Sequence, residues 1–225
     1  MKPLVIYLLR HGESLGQTSR EVYKTIPDWK MPLTEKGIEQ AKNAAKKLKE
    51  DITKIFYHDN ALFPVMLSTK TIRVYSSPWY RSRQTAQAFR DVWPQNEYRE
   101  DPRIREQDWG NYATDEYYKK IDTERDNFGR FFYRMPHGES GADVYDRIST
   151  FLESMHRDFQ KETYPTVSVI FTHGNALRLF LMRWYHWTVE EYENVKNPKN
   201  CDIVKMVIDH ESKKYKLVTE LRRSK

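Results

Sequence analysis

The chain has a single cysteine, Cys201, in 225 residues. An internal disulfide is excluded, as is any metal site built from cysteine thiolates, and this usage suits a reducing compartment. Glycine is scarce as well, at eight residues, and no Ser/Gly-rich or Pro-rich stretch interrupts the sequence. With no linker composition there is no legible boundary, so residues 1–225 read as one domain. No run approaches the roughly 20 apolar residues that cross a bilayer. Met1-Lys2-Pro3 passes straight into an apolar strand, which leaves no place for a signal peptide's apolar segment. The expectation is a cytoplasmic protein without a membrane partner. Blocks of like charge are also missing: 38 Lys and Arg are interspersed with 32 Asp and Glu, for a net charge of +6. The excess admits phosphorylated small molecules. Its dispersal favours a mixed solvated surface over a nucleic-acid patch, so no nucleic-acid partner is expected.

What is present is one device used repeatedly. The run Leu4-Val5-Ile6-Tyr7-Leu8-Leu9 reads as a strand covered on both faces, and it ends at Arg10-His11-Gly12. A second strand, residues 72–75, runs into Ser76-Ser77-Pro78, where Ser77 can cap a helix and Pro78 open it, placing Arg81 near the first turn. A third, residues 167–171, ends at Thr172-His173-Gly174 and precedes Ala176, Leu177, Phe180, Leu181 and Trp184 at helical spacing. In a parallel sheet the carboxyl ends of the strands form the ligand crevice, and helix N-termini offer N–H groups to an anion. Arg10, His11, Arg81 and His173 can converge there. A cation at Arg81 opposes the helix dipole, which points to a bound anion.

The other segments complete an α/β pattern, read as a three-layer α/β/α sandwich with a mainly parallel central sheet. Ile38, Ala41, Ala45 and Leu48 mark a helix capped by Thr34, with lysines 46, 47 and 49 at its negative end. A long amphipathic helix from near Ser140 carries Val144, Ile148, Phe151, Leu152, Met155 and Phe159; Thr188-Val189-Glu190-Glu191 is a capping box. Residues 201–209 and 215–221 read as a hairpin at the sheet edge, while residues 55–67 show no period. Taken singly, Arg10-His11-Gly12 reads more readily as a core histidine at a strand end than as a site. A second His-Gly-Glu-Ser, at 137–140, follows Met135-Pro136 instead of a strand, and so reads as a loop and helix cap. Arg83 reads as solvated or salt-bridged, and Glu100, Asp101, Glu106 and Asp108 are all available as acids.

Several segments together resemble the histidine phosphatase superfamily, the phosphoglycerate mutase-like proteins, across nearly the whole chain. They are Leu9 to Ser14, Leu33 to Gly37, Ser76 to Ala86, Ile104 to Gly110, Gly138-Glu139-Ser140 and Thr172-His173-Gly174, in family order. The resemblance implies a phosphoglycerate mutase-like fold and a two-step phosphoryl transfer without metal or other cofactor. In it His11 becomes phosphohistidine, Glu106 is singled out as the proton donor, and Arg10, Arg81 and a protonated His173 clamp the phosphate of a small ester. Gln17 and Gly174 match further substrate-binding positions, although the family commonly has asparagine where Gln17 stands. A nucleophilic His11 must be neutral, with its other nitrogen held by an acceptor, here expected to be a backbone carbonyl. True mutases carry an Arg-His pair where this chain has Gln107-Asp108, and their paired substrate arginines find no clear match, although Arg125, Arg130 and Arg134 lie in the corresponding stretch. The expectation is therefore hydrolysis, with mutase action or a non-catalytic phosphate-binding scaffold as alternatives. Specificity is expected from residues 17–32, from 55–67 and from the aromatic-basic segment 128–134.

Overall fold

The computed structural model describes residues 2–57, 72–110, 115–209 and 211–224. Strands β1 (Val5–Arg10) and β4 (Val167–Thr172) pair in parallel, with Arg10 opposite Thr172. Strand β2 (Ile72–Ser76) flanks β4 in parallel, and β3 (Asn96–Glu100) extends that side. Across β1, β5 (Ile203–Ile208) runs antiparallel and forms the expected edge hairpin with β6 (Tyr215–Leu217). The order is β3-β2-β4-β1-β5-β6.

Alternation along the strands decides which helix covers which face. Ile6, Leu8 and Ile170 meet Ile148, Phe151, Leu177 and Phe180 from α5 (Gly141–Asp158) and α6 (Gly174–Tyr185). Val5, Tyr7, Leu9, Val169 and Phe171 meet Ala45, Leu48, Ile52 and Phe89 from α2 (Glu35–Tyr57) and α3 (Tyr80–Val92). Both faces of the central strands are therefore covered, which is what their nearly continuous apolar runs require. Each fully buried Leu, Ile or Phe contributes roughly 1.5–3 kcal/mol of transfer free energy. No helix of the described residues is long and apolar enough to cross a membrane.

The structure departs from the sequence reading in several places. Helix α2 continues to Tyr57, because Ile52 and Phe56 prolong its stripe and Phe56 packs against Trp93. Lysines 46, 47 and 49 consequently lie mid-helix, and residues 58–67 fall outside the described residues. Helix α3 starts at Tyr80 with Trp79 as its cap, so Ser77 and Pro78 precede it; Ser77 turns toward the site instead. Strand β3, Asn-Glu-Tyr-Arg-Glu, escapes pattern reading because an edge strand can pair by backbone alone. Helix α4 (Asp115–Phe128) escapes it because little besides Ile121 marks a buried face. Phe131 belongs to the core, while Phe128 and Phe132 are exposed.

Candidate active site

Because Arg10 and Thr172 are register partners, the next residues leave the sheet side by side: the His11 and His173 ring centroids are 5.1 Å apart. The ladder continues just past the strands, with His11 N–H on the Thr172 carbonyl at 3.0 Å and Ser77 N–H on the Phe171 carbonyl at 2.9 Å. His11 Nδ1 lies 2.6 Å from the Gly12 carbonyl. A carbonyl only accepts, so Nδ1 carries the proton and Nε2 presents its lone pair. Arg81 Nε donates to that lone pair at 3.2 Å. Burial, reinforced by the Arg81 and Arg10 charges, pushes the His11 imidazole well below its ordinary pKa, although the Gly12 carbonyl pulls the other way. The ring is neutral with one aimed nitrogen, which is the form a nucleophile needs.

His173 caps α6 and is fully buried, with Nε2 2.8 Å from Ser77 Oγ and its edge against Trp79. Burial, with Arg81, His11, Arg147 and Arg10 nearby, holds it well below the ordinary histidine pKa. The free site thus holds His173 neutral: among the described residues no carboxylate bonds this ring to stabilise the cation, and its Nδ1 has no hydrogen-bond partner. Arg10 donates to the Pro198 carbonyl at 2.7 Å, and its Nε has no partner among the described residues. Its charge feels both Glu106 and Arg81. Arg81 is buried, lies over the Trp79 ring at 4.6 Å, and donates through Nη1 to the carbonyl and carboxylate of Asp28 at 2.8 and 2.7 Å.

Glu106 sits on the start of α6. Its carboxylate accepts from the N–H groups of Asn175 and Ala176 at 3.2 Å and of Gln107 at 3.0 Å. The rival acids are engaged elsewhere: Asp101 holds Arg103, Asp108 caps Gly110 N–H at 2.9 Å, and Glu100 faces Arg83 at 3.6 Å. That last contact also accounts for Arg83 as a surface ion pair. Gln17, exposed on the short helix α1 (Leu15–Thr18), pairs amide to amide with Asn200, whose Nδ2 also donates to the His11 carbonyl at 3.0 Å. Gly174 is buried at the first position of α6, where a Cβ would come within 3.0 Å of the Asn197 side chain.

His11, Arg10, Arg81, His173 and Glu106 are therefore brought together, with Gln17 and Gly174 beside them. The second His-Gly-Glu-Ser is not at the centre. His137 is exposed, and Ser140 caps α5 by a reciprocal box with Asp143. Glu139, however, pairs with Arg147, and Arg147 donates to the carbonyls of Arg103, Arg105 and Glu106 at 2.7, 2.8 and 2.9 Å, fixing the loop that carries the acid. Thr85, one helical turn after Arg81, accepts from Gly12 N–H at 3.1 Å, and Gln84 accepts from Leu33 N–H at 2.8 Å. Gly12 has no space for a side chain, since a Cβ there would stand 2.4 Å from the Gly37 carbonyl oxygen. Sequence reasoning missed Asp28, Thr85, Arg147 and Asn200. Only Thr85 carried a signal, its helical spacing from Arg81. Close in sequence to Glu106, the Trp109 ring carries the Arg125 guanidinium at 4.8 Å.

The family profile of the histidine phosphatase superfamily, branch 1, matches residues 6–220. The chain belongs to that superfamily. This histidine phosphatase is similar to the phosphoglycerate mutase-like protein AT74H of Arabidopsis thaliana, 40% identical over 220 residues, covering 90% of this chain and 73% of the relative. It is similar to the broad-range acid phosphatase DET1 of Saccharomyces cerevisiae, 31% identical over 300 residues, covering 98% of this chain and 90% of the relative. A mycobacterial glucosyl-3-phosphoglycerate phosphatase, solved with inorganic phosphate, shares the fold with a TM-score of 0.69 at 16% identity, over 96% of this chain and 95% of that one.

Proposed function

We propose that this histidine phosphatase is a metal-independent phosphomonoesterase that passes the phosphoryl group of a small phosphorylated metabolite through His11 to water. The observation that carries the reading is a neutral His11 whose unprotonated Nε2 points at the Arg81 guanidinium, with Arg10, His173 and Glu106 around it. In the first step Nε2 attacks phosphorus, the ester P–O bond breaks, and Glu106 gives a proton to the departing alkoxide. In the second, Glu106 takes a proton from water, the hydroxide attacks phosphorus, and the N–P bond breaks to return neutral His11 and phosphate. The guanidiniums spread charge from the equatorial oxygens throughout, each charge-assisted hydrogen bond contributing about 1.5–3 kcal/mol. Burial first and the surrounding cations second hold His173 neutral in the free site; an arriving dianion opposes the field of those cations and so favours proton uptake by His173 on binding.

Hydrolysis is favoured over mutase action by Gln107. Its fully buried side chain donates to the Glu139 carbonyl at 2.6 Å and accepts from Asn175 at 2.8 Å, so the position that holds a cation in mutases supplies none here. The kinship with a broad-range acid phosphatase supports the same reading. The test is phosphate release from a panel of phosphorylated metabolites with chelator present, alongside 3-phosphoglycerate with a bisphosphoglycerate primer. Release from esters that survives the chelator is expected. Isomerisation outrunning release, or retained phosphate binding without turnover of any ester, overturns it.

A further inference from the structure

Arg81, the guanidinium read above as a phosphate ligand, already has an anionic partner of the protein's own. Its Nη1 meets Asp28 Oδ1 at 2.7 Å and the Asp28 carbonyl at 2.8 Å, while its Nε covers the His11 nitrogen that has to attack. Asp28 belongs to neither the sheet nor the flanking helices. It opens a single 3-10 turn, Asp28–Lys30, whose end is anchored by fully buried Met31. Upstream, Tyr23 packs where Gly16 lacks a side chain, since a Cβ there would lie 2.3 Å from the Tyr23 hydroxyl. The Tyr23 phenol is pushed up to about 12, first by burial and then by the Asp28 carboxylate. Residues 19–31 therefore form a strap over the site, with Asp28 held against the cation that the phosphate needs.

We infer that Asp28 is an internal counter-ion that competes with phosphate for Arg81, and that it sets how tightly substrate and product phosphate are held. The inference rests on the reading of Arg81 as a phosphate ligand. An incoming phosphate takes Arg81 from Asp28 and uncovers His11 Nε2; when phosphate departs, the carboxylate reclaims the guanidinium and speeds release. Asp28 acts through Arg81 and is a positioning residue. Its side chain is partly exposed, at 28%, so the exchange occurs at the water-accessible edge of the site, where pairing is weak enough to reverse.

The experiment is calorimetric titration of inorganic phosphate into the intact protein and its Asp28→Asn, Asp28→Ala, Arg81→Ala and Asp28→Asn/Arg81→Ala variants, with KM and kcat measured on an aryl phosphate. Both Asp28 variants are expected to bind phosphate about fivefold more tightly, with KM falling by a similar factor and product inhibition deepening. In the double variant that gain disappears, because the cation it acts through is gone. Unchanged or weaker phosphate binding in both Asp28 variants, while Arg81→Ala loses phosphate, overturns the competition and leaves the phosphatase reading standing. Phosphate binding undiminished in Arg81→Ala removes Arg81 from the phosphate site, and the inference falls with it.

Discussion

Arg147 offers the most quantitative handle on how the acid is positioned. Its guanidinium donates to three loop carbonyls, those of Arg103, Arg105 and Glu106, and holds the Glu139 carboxylate at 2.9 and 3.1 Å. The two side chains are only 11% and 15% exposed. Arg147→Met removes the cation and leaves a buried carboxylate and three carbonyls short of donors. Breaking a buried pair from one side costs about 3–5 kcal/mol. Arg105 still reaches Glu139, so the lower end applies, about 3 kcal/mol. For a chain of this size that lowers Tm by roughly 6–12 °C. Urea unfolding measures the loss, and Arg147→Met/Glu139→Gln should recover part of it, because the stranded charge is then gone. Loosening the loop also loosens Glu106, so hydrolysis of alkyl phosphates should fall further than that of aryl phosphates, whose leaving groups need no proton. A loss under about 1 kcal/mol, or equal rate losses for both ester classes, would refute the strut.

Glu106→Gln should slow alkyl ester hydrolysis by about 10²–10⁴-fold while sparing aryl phosphates, as read from initial rates across a leaving-group series. His11 and His173 are both held below the ordinary value of 6.5 in the fold, so the unfolded chain binds protons that the folded chain refuses. Stability is then full above that value and is lost as pH falls below it, by up to about 1.4 kcal/mol per pH unit for each histidine. Urea midpoints taken between about pH 7.5 and pH 5 should show this slope, and it should flatten in His11→Asn. Gly12→Ala drives a methyl against the Gly37 carbonyl and should cost about 1–3 kcal/mol, measured by thermal unfolding, with activity falling as His11 shifts.

The sequence made the central strands and their terminal histidines legible because β1 and β4 are mostly apolar, β2 carries Ile72, Val74 and Tyr75, and each ends in polar residues. Arg10, His11, Arg81 and His173 could be placed at one crevice by that logic alone. Glu106 could not, since four carboxylates between 100 and 108 look alike until Thr172 Oγ1 ties the Ile104 carbonyl to β4 and Arg147 fixes the loop. The neutrality of His173 in the free site was illegible for a related reason: a histidine in sequence carries no record of the burial and the arginines that surround it when folded. Asp28 and Asn200 were invisible because nothing local to them has a period; they meet the site through contacts spanning 53 and 189 positions. Strand β3 shows the converse limit, where pairing by backbone leaves almost no trace in side-chain chemistry.

The most direct test of His11 as nucleophile is rapid-quench trapping of the enzyme with a phosphorus-labelled ester, followed by mapping of the label. Acid-labile, base-stable label on His11 that forms and decays at the rate of turnover, and is missing from His11→Ala, is the predicted result. Turnover that persists in His11→Ala, or label residing on any other side chain, would contradict it.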